Sequence, residues 1–265
     1  MNTLVMAIKA IYAVWRRHVM TYFKMIWPVM ANNVANPLLY LFSFGFGLGA
    51  VIPVMTDTSG YEMPYLHYVL PGMMAYSVMF AASFETSVSA YARMTMQMNW
   101  NAILSTPVSL HELLLGELAW ATTKAMLAAV SVMIAGYAFG GIPSGWFGLT
   151  NLIVMLGGAF VFASFGLLST SLAKGFEHFN YFFTFWVTPM FMFSGVFFPV
   201  ERFPESVQYL TYIFPMTYVL DIARPISAGL PLDGVEVLKD VTVLVLMAVF
   251  AYSLAYRKIK QRLFT

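Results

Sequence analysis

Apolar residues run along the chain in long blocks that short polar stretches separate. A helix needs about 20 apolar residues to cross a bilayer, and six blocks have about that length. The blocks cover residues 28–52, 66–91, 113–139, 147–173, 179–198 and 237–256. The pattern therefore predicts an all-α integral membrane protein with six transmembrane helices, and a single domain over residues 1–265.

Residues 1–26 follow a helical rather than a continuous apolar pattern. Apolar side chains recur there at steps of three, four or seven residues, which places them on one helix face. That face carries Leu4, Ile8, Ile11, Trp15, Tyr22 and Ile26, and the other face carries Lys9, Arg16, Arg17 and Lys24. We expect an amphipathic helix at the membrane surface, with its basic face toward anionic headgroups. A helix that docks on a soluble protein is the alternative.

The fifth block ends in a broken segment. Pro199 interrupts it, and the apolar run that follows Pro204 is divided at Pro215. Each part is too short to cross a bilayer, so residues 199–225 are predicted to form a broken helical hairpin at one membrane face. Irregular backbone at membrane depth needs protein or a water-filled cavity around it, so the hairpin is expected to cap something polar.

Gly45, Gly47 and Gly49 alternate in the second half of the first block. No Lys-Ser or Lys-Thr pair follows them, so they do not form a phosphate-binding loop. Small residues in membrane helices allow close packing. Close packing is our interpretation, and a substrate contact is the alternative.

Composition agrees with the membrane prediction, and it gives no support for nucleic-acid binding, a metal site or catalysis. The 265 residues are 60% hydrophobic and 10% charged, and the net charge of +2 gives no reason to expect nucleic acid. The chain has no cysteine, and its four histidines are scattered, so no metal site is predicted. No nucleotide-binding P-loop, metalloprotease motif or serine-hydrolase motif is present, so no catalytic residue is predicted.

The basic residues favour one orientation. Of the 14 lysines and arginines, ten fall on the side of the termini, three on the other side, and Lys124 inside a block. The ten are Lys9, Arg16, Arg17, Lys24, Arg93, Lys174, Arg257, Lys258, Lys260 and Arg262. By the positive-inside rule, both termini are expected in the cytoplasm and residues 199–225 outside.

The segment from Phe193 to Arg224 resembles the C-terminal signature of ABC-2 permeases, the membrane subunits of a class of ABC transporters. The matching residues are Ser194, Gly195, Phe198, Pro199, Pro204, Pro215, Asp221 and Arg224. The resemblance implies a multi-pass exporter subunit of the bacterial inner membrane, not itself an enzyme, and a separate ATP-binding subunit in two copies that holds ATP and Mg. It also implies a second permease copy, either a homodimer partner or a sister chain. A stand-alone secondary transporter or intramembrane lipid enzyme is the alternative from another class.

The same resemblance assigns a role to the segment between the second and third blocks. Residues 97–107 would form the cytoplasmic coupling helix that docks on the ATP-binding subunit. Trp100, Ile103, Leu104 and Pro107 would make that contact. A helix that only lies at the membrane surface is the alternative.

Three longer stretches resemble a branch of the family that includes nodulation lipo-oligosaccharide exporter permeases. They begin at Asn36, Phe84 and Trp100, and the third contains Glu117. The substrate implied is an amphiphile: a glycolipid, a lipo-oligosaccharide or a polysaccharide. Drug or small-molecule efflux is the alternative. The aromatic residues Tyr40, Tyr181, Phe182, Phe185 and Trp186 are candidates for the substrate pathway, and lipid-facing side chains are the alternative.

Two ionisable residues lie deep inside blocks. At 1.5 Å per residue, Glu85 lies about 12 Å from the end of the second block and Lys124 about 16 Å into the third. Buried charges in membranes usually pair or face the bundle interior. We therefore predict a Glu85–Lys124 ion pair, with Glu117 left near the cytoplasmic boundary. The alternative is a snorkelling Lys124 and a protonated Glu85. For Arg224, an exposed pair with Asp221 or Glu201 is expected.

Overall fold

The computed structural model describes residues 3–24, 35, 38–39, 42–52, 54–56, 62–140 and 145–264. Most of these residues are helical. The α-helices are α1 (Thr3–Lys24), α2 (Gly49–Val51), α3 (Tyr65–Phe84), α4 (Ala90–Thr95), α5 (Asn99–Leu104), α6 (Leu110–Ala138), α7 (Gly145–Leu172), α8 (Glu177–Phe182), α9 (Thr188–Phe193), α10 (Glu205–Thr211), α11 (Pro215–Ala228) and α12 (Gly234–Phe264).

Three π-helical segments interrupt or precede these helices: π1 (Ser43–Leu48), π2 (Glu85–Ser89) and π3 (Phe183–Val187). Segment π2 joins α3 to α4, and π3 joins α8 to α9, so each pair forms one long helix with a wide turn inside it. A short 3-10 helix covers Val200–Arg202. The strands β1 (Val54–Thr56) and β2 (Glu62–Pro64) pair antiparallel, a small ladder that the all-α prediction did not include.

Three helices in the described residues are long and apolar enough to cross a membrane: Leu110–Ala138, Gly148–Leu172 and Gly234–Phe264. The molecule is therefore a mostly helical membrane protein. Much of the predicted first span lies outside the described residues, and the count of six spans stays a prediction.

Helix α7 is the centre of the bundle and packs against α3, α6, α11 and α12. Small residues allow this close packing. A Cβ atom on Gly158 would lie 3.0 Å from Val219 of α11, and one on Gly166 would lie 2.2 Å from Thr86 Oγ1. These two glycines fix how closely α11 and π2 approach α7.

Helix α1 packs along α6, with a stripe of Val14, His18 and Tyr22 buried against it. A Cβ atom on Gly116 would lie 2.6 Å from Val14 Cβ, so α1 seats on the surface of α6 at that glycine. Leu4 and Ile8, from the predicted apolar face, stay exposed. The buried stripe therefore follows the protein contact, and it shares only part of the face that periodicity predicts.

Between α9 and α12 the chain forms the 3-10 helix, α10 and α11, and α11 begins at Pro215 after the break. The expected exposed pair of Arg224 with Asp221 or Glu201 is wrong. Arg224 is buried, its Nη2 donates to the carbonyl of Gly195, and its guanidinium lies 4.3 Å from the centre of the Tyr68 ring. Tyr68 donates to the same Gly195 carbonyl at 3.1 Å. Arg224 thus fastens α11 to α3 and to the turn after α9.

Candidate functional site

A network of buried charges lies where α3, π2 and α4 pack against α6. Glu85 begins π2, Arg93 lies in α4, and Glu117 and Lys124 lie in α6. The ends of α4 and α6 are joined by the segment that contains α5. The network therefore sits beside the loop that connects two long helices.

Glu85 accepts from three donors. Lys124 Nζ lies 2.7 Å from Glu85 Oε2, and Arg93 Nη1 lies 2.7 Å from Oε1. Trp120 Nε1 also donates to Oε1, at 3.0 Å. The structure thus brings Glu85 and Lys124 into contact and adds Arg93, which sequence reasoning placed only at the end of a span.

Glu117 forms the second centre of the network. Its Oε2 accepts from Arg93 Nη2 at 2.6 Å, its Oε1 accepts from Trp100 Nε1 at 3.0 Å, and His18 Nε2 lies 3.2 Å from Oε1. Glu117 is fully buried. The sequence predicted Glu117 near the cytoplasmic boundary, apart from the Glu85–Lys124 pair; the structure links it to Glu85 through Arg93.

Aromatic rings from α1 close the network on one side. His18 stacks on Trp120 with ring centres 5.8 Å apart, and Tyr22 meets Trp120 edge-on at 5.3 Å. Trp15 Nε1 donates to Thr123 Oγ1 at 2.9 Å. Burial, with the Glu85 carboxylate nearby, raises the pKa of Tyr22 above its ordinary value. Helix α1 therefore shields the network from solvent.

Two acidic side chains, Glu85 and Glu117, are matched by two basic side chains, Arg93 and Lys124, in this network. Each ion is expensive to bury alone, and a buried pair is tolerated when hydrogen bonds satisfy the remaining lone pairs. Here Trp100 and Trp120 supply those bonds. The network is well suited to hold α1, α4, α5 and α6 in one arrangement.

Helix α5 lies in the predicted coupling segment, but Trp100 is not available to a partner. Its side chain is fully buried and bonded to Glu117, so the prediction that Trp100 itself docks on the ATP-binding subunit is wrong. Ile103 and Leu104 are half-buried against the core, and Pro107 is exposed. Met98, with φ of 52°, turns the chain into α5.

Segment π2 has its carbonyl groups occupied by side chains. Arg93 Nη2 donates to Glu85 O at 3.2 Å. Thr170 Oγ1, from α7, lies 2.7 Å from Thr86 O and 2.9 Å from Ser87 O. A π-helical turn disturbs the regular backbone bonds. Glu85 O and Ser87 O still accept from the Ala90 backbone N–H, so the side-chain donors add to the backbone bonds of this turn.

An aromatic groove of about 820 Å³ lies between the α3–π2–α4 helix and the α8–π3–α9 helix. Residues from all three π-helical segments line it, among them Phe44, Val88 and Phe183. Its few polar residues include Glu177 and Asn180 at the start of α8. The groove thus offers a long apolar wall with polar groups near one end.

The four aromatic residues predicted for a substrate pathway that the structure describes do not line this groove. Tyr181 and Phe185 are exposed and stack on each other, with ring centres 6.4 Å apart. Phe182 and Trp186 are half-buried. Tyr40 lies outside the described residues. The groove residues Tyr76, Phe80, Phe84 and Phe183 escaped sequence reasoning, because aromatic residues occur on every face of these spans.

Fold and buried charges define a multi-pass helical membrane protein, and comparison with known proteins gives its family. The family model for ABC-2 type transporters matches residues 9–226. The chain is 36% identical to Nodulation protein J of Rhizobium meliloti (strain 1021), over 95% of this chain and 93% of that protein. It is 35% identical to Nodulation protein J of Sinorhizobium fredii, with the same coverage of 95% and 93%. It is 23% identical to the inner membrane transport permease YadH of Escherichia coli, over 95% of both chains. The chain belongs to the ABC-2 type transporter family and is a membrane permease.

Proposed function

We propose that the chain is the permease subunit of an ATP-driven exporter that moves an amphiphile outward across the bacterial inner membrane. The amphiphile class is a glycolipid, a lipo-oligosaccharide or a polysaccharide. The resemblance to the nodulation lipo-oligosaccharide exporter branch supports this class, and the two relatives named Nodulation protein J match 95% of the chain. The permease has six spans, and both termini lie in the cytoplasm.

The observation that carries this proposal is the hydrogen bond from Trp100 to Glu117. It ties α5, in the loop between two long helices, directly to the charge network inside the bundle. A displacement of α5 therefore disturbs Glu117, and through Arg93 also Glu85 in π2. This is the connection that a permease needs if a partner outside the membrane drives movement within it.

The partner in this proposal is a separate ATP-binding subunit in two copies, which holds ATP and Mg. Its docking surface is the exposed side of α5 and of the turn after it, where Pro107 is exposed and Ile103 and Leu104 are half-buried. Trp100 transmits the movement from behind this surface. Two permease copies form the membrane part, as a homodimer in our proposal.

The substrate route that we propose follows the aromatic groove. An acyl chain would lie against Phe80, Phe84 and Phe183, and polar groups would meet Glu177 and Asn180. The exposed stack of Tyr181 and Phe185 lies on the same long helix as Phe183, and it would face the second permease copy. A groove open at its side admits a substrate from the bilayer.

Two measurements test the proposal. The chain is co-expressed with a candidate P-loop ATPase, sought first in the neighbouring reading frames, and purified through a tag on the permease. The two are expected to copurify, and a permease that never retains an ATPase would contradict the proposal. Lipids of the inner and outer membranes are then compared with and without the chain. We expect one glycolipid to accumulate in the inner membrane of the deletion strain. An unchanged lipid profile would favour small-molecule efflux.

A further inference from the structure

A polar crevice of about 260 Å³ lies between α11 and the first turns of α12, away from the charge network. Its walls carry five carboxylates: Glu201, Asp221, Asp233, Glu236 and Asp240. They also carry two cations, Arg224 and Lys239. The crevice therefore has an excess of negative charge, which favours a ligand with a positive group.

Asp240 makes this more than a cluster of surface acids. Only 8% of its surface is exposed, and it makes no hydrogen bond or ion pair within the part of the chain that the structure describes. It lies near the beginning of a helix long enough to span the membrane. Lys239 acts on Asp240 electrostatically but forms no ion-pair contact with it among the described residues, so a bound cationic group at hydrogen-bond distance would stabilise the Asp240 carboxylate further.

Two further groups in the crevice are consistent with a bound ligand. The buried Nε of Arg224 has no hydrogen-bond partner in the described residues. Asp221 is an exposed residue by its accessible surface, yet the many protein atoms around it raise the pKa of Asp221 to about 7. Arg224 acts in the opposite direction, and Asp240, Glu201 and Glu236 add to the rise. The crevice thus holds both an unused donor and acids under mutual repulsion.

An apolar slot of about 430 Å³ continues from the crevice between α7, α11 and α12. Leu232 and Val237 line both spaces. Exposed Ile153 and Val245 mark its membrane-facing side. A Cβ atom on Gly157 would meet nothing within 4 Å, which shows that the slot is open at this point. The two adjoining spaces suit an amphiphile, because an apolar slot continues from a polar crevice.

We propose that the crevice and slot bind a phospholipid with a primary ammonium headgroup, of the phosphatidylethanolamine class. One acyl chain lies in the slot. The ammonium group lies among the carboxylates and donates to Asp240, while the phosphate faces Arg224 and Lys239. A zwitterionic headgroup matches a crevice that carries both signs of charge with negative charge in excess.

The chemistry of the crevice separates this lipid from others. Phosphatidylglycerol brings a negative charge without a cation, so the five carboxylates repel it. Phosphatidylcholine has the positive charge but no N–H group, so it cannot donate to Asp240. The proposed lipid site is separate from the proposed substrate route, because the crevice and slot lie on other helices than the aromatic groove.

Native mass spectrometry of the purified full chain tests the proposal. Delipidated protein is titrated with phosphatidylethanolamine, phosphatidylglycerol or phosphatidylcholine of identical acyl chains. We expect one phosphatidylethanolamine to be retained at least about tenfold more tightly than either other lipid. Asp240→Asn should reduce that preference by about tenfold, the factor for one hydrogen bond to a charged group.

Matched variants separate this site from general lipid contact. Glu205→Gln removes an exposed carboxylate of α10 that does not line the crevice, so it should change nothing. Gly157→Phe should fill the slot and displace the lipid, whereas Gly157→Ala should leave room for it. Equal retention of the three lipids would overturn the proposal, and so would binding that Gly157→Phe leaves unchanged in a protein with a normal melting temperature.

Discussion

Lys124 Nζ lies 2.7 Å from the Glu85 carboxylate, although the two residues are 39 positions apart and belong to different helices. Arg93 holds the other oxygen of the same carboxylate at 2.7 Å. Arg93 and Lys124 therefore depend on Glu85 to different degrees. Arg93 has Glu117 as a second partner, whereas Lys124 has no other ion-pair partner among the described residues.

This difference predicts an unequal response to mutation. Glu85→Gln leaves Lys124 buried without a partner, so we expect a loss of about 3–5 kcal/mol in unfolding free energy. Lys124→Met leaves Glu85 paired with Arg93 and should cost less. The double variant should be more stable than Glu85→Gln alone. Melting in detergent gives the double-mutant cycle, with exposed Lys174→Met as control. Strictly additive losses would mean that the two residues do not interact.

A second prediction concerns the bond between α5 and the bundle. Trp100→Phe keeps a buried ring but removes the donor to Glu117. Because the acceptor is charged, the expected loss of stability is about 1.5–3 kcal/mol. ATP hydrolysis by the partner should continue while transport falls. Trp15→Phe, which removes a bond to the neutral Thr123 hydroxyl, is the control with a smaller expected loss of about 0.5–1.5 kcal/mol. Normal transport in Trp100→Phe would contradict the proposed link.

The contact of Glu85 with Lys124 could be predicted because depth along two helices needs only the rise per residue. The place of Arg93 could not be predicted in the same way. In a regular α-helix Arg93 lies about 80° around the axis from Glu85, at eight steps of about 100°. Segment π2 takes up one extra residue, so the effective separation is about two turns and both side chains reach one side. The residue types of Glu85–Ser89 do not predict that wide turn.

The partners of Trp100 and Arg224 were missed for a related reason. Both contacts are set by tertiary packing over 17 and 29 residues. The family resemblance placed Trp100 in an external interface, and charge alone suggested an acidic partner for Arg224. The acceptor at Gly195 is a backbone carbonyl, and the pattern of charged residues in a sequence does not reveal such an acceptor. The φ of +84° at Gly195 sets the direction of the turn after α9.

A third prediction tests the proposed docking surface. Replacing Ile103 and Leu104 by Asp places two charges where an apolar interface is proposed, so the ATP-binding subunit should no longer copurify. Both side chains also pack partly against the chain's own core, so membrane insertion and melting temperature are measured in parallel. Ser206→Asp, which adds a charge at an exposed position of α10 away from this surface, should retain the partner. Copurification with stimulated ATP hydrolysis in the double variant would disprove the assignment.

A fourth prediction follows from the burial of Arg224. Arg224→Lys keeps the charge but loses the planar group that lies over Tyr68 and donates to Gly195. We expect transport and stability to fall together, with Arg224→Ala more severe than Arg224→Lys. Exposed Arg202→Ala should change stability by no more than about 0.5 kcal/mol. A stable Arg224→Ala protein without transport would instead assign Arg224 a direct role in export.

A fifth prediction concerns the attachment of π2 to α7. The hydroxyl of Thr170 is shared by the carbonyls of Thr86 and Ser87, at 2.7 and 2.9 Å, and all three residues are buried. Thr170→Val keeps the shape but leaves these carbonyls without that donor, which should cost about 1–3 kcal/mol.

The wide turn at π2 should be the first part of the helix to respond. Hydrogen exchange at residues 85–90 is therefore expected to increase in Thr170→Val, ahead of exchange in the preceding helix α3. Thr170→Ser retains the hydroxyl and should stay close to the parent protein in exchange. Equal exchange in the Val and Ser variants would show that the hydroxyl does not hold π2. A selective increase in Thr170→Val, together with reduced transport, would connect the geometry of Glu85 to the activity of the permease, because Glu85 is the residue with which π2 begins.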